Sequence, residues 1–92
     1  MEFYDMRPDE TAVEQDVFQR SFNQDAKEEN LVWHRDKRDR EIRIIAGVNW
    51  KLQMDNQLPV VMKVGDVFKI PKETFHRVHK GEGRLIIEIK ES

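Results

Sequence analysis

Residues 65–81 read GDVFKIPKETFHRVHKG. Gly65 permits the backbone conformation of a tight turn, and Asp66 can accept hydrogen bonds from the turn's own amides. An apolar run, "VFKI", follows. Pro71 ends it, "KETF" forms a loop, and His76 opens a second run with its side chain on the same face as Val78. Alternation with a period of two and bracketing turn residues predict strand, loop, strand. If the His76–Val78 face is interior, an imidazole points inward among apolar neighbours, which is the setting of a metal-ligand histidine.

The same rhythm extends both ways from this stretch. Downstream, "RLIIEIK" places Leu85, Ile87 and Ile89 on one face, and Gly81 with Gly83 reads as a hairpin turn. Upstream, "LVWH" reads as a strand and "REIRIIAG" alternates up to Gly47. "VNWKLQM" sets Val48, Trp50, Leu52 and Met54 on one face, Asp55-Asn56 turns the chain, and Pro59 starts an edge strand through "VVMKV". About seven such runs at this spacing predict two small sheets facing one interior. Residues 1–30 differ. Pro8 and Asp9 resemble a helix start, Ala12, Val13, Val17, Phe18 and Phe22 make a rough helical stripe, and "NQDAKEEN" reads as a polar loop. The expectation is a single domain: an N-terminal arm with a short helix over 1–30 and an all-β barrel over 31–92. So short a barrel exposes strand edges, which predicts a homodimer.

Composition narrows the function. The 92 residues are 38% hydrophobic and 37% charged, with a formal net charge of −2. The apolar residues gather in periodic runs, which favours folding. No run approaches the length of a membrane span and the start lacks the pattern of a signal peptide, so the expected location is the cytoplasm. The acidic balance argues against a nucleic-acid partner. The absence of cysteine leaves His, Asp and Glu as the available metal ligands. No Gly-x-Ser-x-Gly, P-loop or dinucleotide-type loop occurs.

Gly65-Asp66, Pro71 and then His76 resemble the second motif of the cupin superfamily, Gly-Asp, a few residues, Pro, four residues, His. The counterpart of the first motif is "WHRDKRDREIRIIAG", ending at Gly47. The resemblance implies a small double-stranded β-helix, a jelly-roll barrel of the RmlC-like kind. It puts His34 at the first histidine position and Asp36 where a second histidine belongs. Counting forward from Asp36 puts Glu41 at the glutamate position; counting back from Gly47 puts Arg40 there. Alternation with Ile42 and Ile44 assigns Arg40 to the inner face and Glu41 to the outer one. The implied metal set is His34, Asp36 and His76, with Glu41 as a fourth candidate. Such a set suits Fe, Mn, Ni or Zn.

The ending "GDVFKIP...H...GRLIIEIK" is also similar to that of the 3-hydroxyanthranilate dioxygenase branch, and the "WHRD..DR" segment resembles small cupin-like proteins carried by tailed phages. The run "HRDKRDR" puts Arg35, Arg38 and Arg40 beside His34, with Arg77 next to His76. Guanidinium forks suit carboxylates and phosphates, so these arginines, with Trp50 as cavity wall, are the candidate contacts for an anionic small molecule. Two functions are therefore expected. The first is a protein binding an anionic small molecule, with or without a divalent metal. The alternative is a metal-dependent enzyme, a non-haem dioxygenase or an isomerase of a small carboxylate.

Overall fold

The computed structural model describes residues 10–23 and 31–92, and every regular element among them is a strand. In chain order they are β1 (Glu10–Glu14), β2 (Val17–Phe22), β3 (Arg40–Val48), β4 (Lys51–Met54), β5 (Val60–Val61), β6 (Val67–Ile70), β7 (His76–His79) and β8 (Glu82–Glu91). Two antiparallel sheets face each other, a five-stranded one in the order β1-β2-β8-β3-β6 and a three-stranded one in the order β5-β4-β7. Trp50, Ile44, Leu85, Ile70 and Ile89 fill the space between them and are almost wholly enclosed.

Alternation sets which side chains go inside. In β3 the inward positions are Arg40, Ile42 and Ile44, and in β8 they are Leu85, Ile87 and Ile89. β3 and β8 pair in register, Ile42 opposite Ile89 and Ile44 opposite Ile87. The Gly-Asp turn forms as its residues dictate. Gly65 has φ +92°, its N–H donates to the Ile44 carbonyl at 2.9 Å, and the Asp66 carboxylate accepts from the Lys63 N–H at 2.9 Å.

Four local expectations are corrected. Residues 10–22 form the β1–β2 hairpin instead of a helix; the Pro8-Asp9 cap and most of the "NQDAKEEN" loop lie outside the described residues. Phe18, Arg20 and Phe22 lie opposite Ile89, Ile87 and Leu85 of β8, so the period is two. The period is hard to see because its middle inward position is an arginine. Val48 is exposed, since the chain turns at Asn49 with φ +59° before Trp50 returns to the core. Gly81 and Gly83 do not close a hairpin, because β7 and β8 belong to different sheets and the chain crosses between them. Gly81 packs against the Asn49 turn, where an added Cβ would meet the Val48 carbonyl and the Trp50 nitrogen. Finally, "LVWH" contributes a single bridge, His34 with His76, instead of a strand.

Candidate metal centre

The bridge between His34 and His76 is the base of the site. Each residue's N–H donates to the other's carbonyl, at 3.0 and 2.9 Å, and the two imidazoles meet edge to face with centroids 4.3 Å apart. The carbonyls two residues upstream of each histidine, which would serve the next rungs of the ladder, face the rings. Nδ1 of His34 lies 3.0 Å from the Val32 carbonyl and Nδ1 of His76 lies 2.8 Å from the Thr74 carbonyl. A carbonyl only accepts, so in both rings Nδ1 carries the hydrogen and Nε2 carries the lone pair. Backbone bonds of this kind fix tautomer and ring orientation in metal-ligating histidines.

Asp36 completes the set. Its backbone carbonyl accepts from the Glu73 N–H at 2.7 Å, which docks the loop between β6 and β7 onto the segment carrying Asp36. Ligand atoms of His34, Asp36 and His76 lie within 4.8 Å of one another. Asp36 is 1% exposed, and neither of its carboxylate oxygens receives a hydrogen bond. Two imidazole nitrogens thus converge with a buried carboxylate that receives no hydrogen bond. The arrangement fits a cation, which would satisfy the carboxylate oxygens that no hydrogen bond satisfies.

The electrostatics agree with the geometry. Burial, with the neighbouring charges of His76, Arg20 and Arg40, lowers the pKa of His34 to about 4; the hydrogen bond to Val32 opposes the shift. Burial also lowers His76, and Asp36 and the Thr74 carbonyl oppose it. Both rings are therefore held neutral at neutral pH, the form that ligates metal. Asp36 is raised by burial and pulled back down by Arg40 and His76.

The candidate residues divide by strand face. Arg40 is buried and its Nε stands 3.6 Å from Asp36 Oδ2, but its hydrogen bonds go to Glu91, from Nε at 2.9 Å and from Nη2 at 2.7 Å. Glu41 points to the opposite face, opposite Lys69 and Lys90, and is not in the convergent set. Arg35 pairs with Glu73 at 3.1 Å and lies over Phe75, while Arg77 bonds Gln53 at 3.1 Å and lies over Trp33. Both arginines occupy the outer face, because each is one residue from an inward histidine. Arg38 bonds the Ser92 carbonyl and Asp16, each at 3.2 Å, tying the C-terminal end to the β1–β2 turn. Trp50 is wholly enclosed, packs on Phe22 and donates its indole N–H to the Glu82 carbonyl at 3.3 Å, so it belongs to the core.

A cavity of about 30 Å³ adjoins the histidines, bounded by Arg20, Arg40, Phe22, Leu52 and Ile87 among others. That is room for one or two water molecules. Sequence reading missed Arg20 and Glu91. Both sit where an alternating apolar pattern continues through a charged residue, Phe18-x-Arg20-x-Phe22 and Leu85-x-Ile87-x-Ile89-x-Glu91.

No protein-family model matches the chain, and no curated protein matches it in sequence. Several solved structures do match it in three dimensions. KdgF from Halomonas sp. superposes with a TM-score of 0.65 at 20% identity, covering 95% of this chain and 83% of its own. A cupin-2 domain protein from Shewanella frigidimarina gives 0.63 at 17% identity over 97% of this chain and 85% of its own. A cupin domain from Bordetella pertussis gives 0.61 at 16% identity over 83% and 79%. At these identities the likeness is one of fold, and with the two facing sheets and the inward histidines it establishes that this chain has the cupin fold.

Proposed function

We propose that the protein is a cytoplasmic binding protein that holds a divalent cation on His34, Asp36 and His76 and takes a small anion in the adjoining cavity, against Arg20 and Arg40. The observation that carries this reading is the buried Asp36 carboxylate, which faces two lone-pair nitrogens and receives no hydrogen bond. Nitrogen and carboxylate ligands suit Fe, Mn, Ni or Zn. The charges of Asp36 and Glu91 balance those of Arg20 and Arg40, so a divalent cation would leave the interior positive and favour an accompanying anion. The cavity volume limits that anion to a few atoms, such as a carboxylate or the end of a larger acid. Association into a homodimer belongs to the same proposal, supported by the exposed Leu58, Val60 and Val64 along and beside edge strand β5.

A metal-dependent enzyme acting on a small carboxylate is the second reading, favoured by a set of three protein ligands, which leaves coordination positions to other groups. A bound divalent ion would supply Lewis-acid polarisation of a ligand oxygen.

The test is metal analysis of untagged protein after dialysis against Mn²⁺ or Zn²⁺. Uptake near one equivalent is expected in the wild type and almost none in His76→Ala, because ligation requires the neutral imidazole. Wild-type uptake below about a tenth of an equivalent would sink the metal half of the reading. With metal present, formate or acetate should raise the melting temperature, as any ligand of the folded state does, in the wild type and Arg77→Ala but not in Arg20→Gln. Unchanged melting in the wild type removes the anion half.

A further inference from the structure

Arg40 presents a contradiction. A buried guanidinium 3.6 Å from a carboxylate that is offered to a metal should compete with that metal. The structure resolves it through Glu91. The Glu91 carboxylate takes hydrogen bonds from both Nε and Nη2 of Arg40, through one oxygen, Oε2. Its other oxygen, Oε1, lies 3.6 Å from Nη1 of Arg38, whose own bonds to Ser92 and Asp16 anchor it to the barrel rim. The chain Asp16, Arg38, Glu91, Arg40 thereby fixes the guanidinium on its Glu91 side.

We infer that Glu91 is a positioning residue for the metal centre, holding the Arg40 guanidinium off Asp36 so that the carboxylate is offered to a cation. The inference rests on the metal-binding reading above. Without the Glu91 charge, the desolvated Arg40 still stands 3.6 Å from the Asp36 carboxylate. A shift of about 1 Å would turn the 3.6 Å approach into a charge-assisted hydrogen bond. An entering metal would then have to displace an internal cation.

A double-substitution cycle on metal affinity tests this, read by equilibrium dialysis with Zn²⁺ or Mn²⁺ alone. Glu91→Gln should weaken binding by about tenfold or more, the range found for residues that orient metal ligands. In an Arg40→Gln background the same change should alter affinity by less than about twofold, since the competing guanidinium is gone. An equal loss in both backgrounds overturns the inference, because Glu91 would then act by its charge alone. So does a Glu91→Gln protein that binds as tightly as a metal-binding wild type, while the metal reading stands. If Arg40→Gln alone does not fold, the double variant is compared with Glu91→Gln; it must bind more tightly, and equal or weaker binding is a refutation. If neither the wild type nor any folded Arg40→Gln protein takes up metal, the metal reading and this inference fall together.

Discussion

The two ends of the barrel interior use the same strands for opposite purposes. At one end Trp50, Ile44 and Leu85 are enclosed together, with Gly81 closing the turn against them. At the other, inward positions of the sheets and of the segment before β3 carry Arg20, Arg40, His34, His76, Asp36 and Glu91. Apolar burial drives folding at the first end. At the second, charged groups are desolvated, and neither oxygen of the Asp36 carboxylate receives a hydrogen bond. A domain of this size has little stability in reserve, so a polar end that weakens the fold is the mark of a site.

The largest effect should come from the apolar end. Trp50→Ala should remove about 3–5 kcal/mol, against the 5–15 kcal/mol typical of a whole domain, so the variant should be largely unfolded in a denaturant titration. A small loss would mean that the core collapses around the gap and that this end is not the main support.

Asp36→Asn should act in the opposite sense. It removes a buried charge that has no hydrogen-bond donor, so the metal-free protein should gain about 1 kcal/mol, seen as a melting temperature several degrees higher, while metal uptake is lost. A lower melting temperature would show that the 3.6 Å contacts of Asp36 with Arg40 and His76 stabilise the fold, and the contrast between the ends would weaken.

A third contrast lies in the pH response. With His34 held at about 4 against an ordinary 6.5, the unfolded chain takes up its proton first as pH falls. Stability associated with His34 therefore declines through that window and levels below it. Asp36, raised by burial, contributes with the opposite sign, so the informative quantity is a difference. The melting temperature of His34→Gln relative to wild type should rise as pH is lowered from 7 to about 4. A constant difference would mean that His34 titrates normally.

Legibility in the sequence follows the same division. Strand β3, the inward faces of β3 and β8, the Gly65-Asp66 turn and the inward His76 were all readable, because side-chain direction in a strand alternates without drift. The pattern placed Arg40 inside but failed at two other charged interior positions. Arg20 turned a strand into an apparent helix, and Glu91 passed unnoticed at the end of β8. His34 was placed on a strand that the structure reduces to one bridge, since the Val32 and Thr74 carbonyls beside it face imidazoles.

By itself the sequence determined the all-β class, the turn chemistry and the spacing that sets His76 inside, all consequences of local sterics and a two-residue period. Alternation had already put Arg40 inside, but only the tertiary structure decided that Arg20 joins it there and that Arg35 and Arg77 stay outside. Arg35 and Arg77 stack outside on Phe75 and Trp33, while Arg20 and Arg40 stand inside with the histidines. Alternation gives the relative faces of neighbours in one strand, but a charged side chain carries no hydrophobic signal of its own. Its side is fixed when the two sheets close and each strand's apolar residues claim the interior.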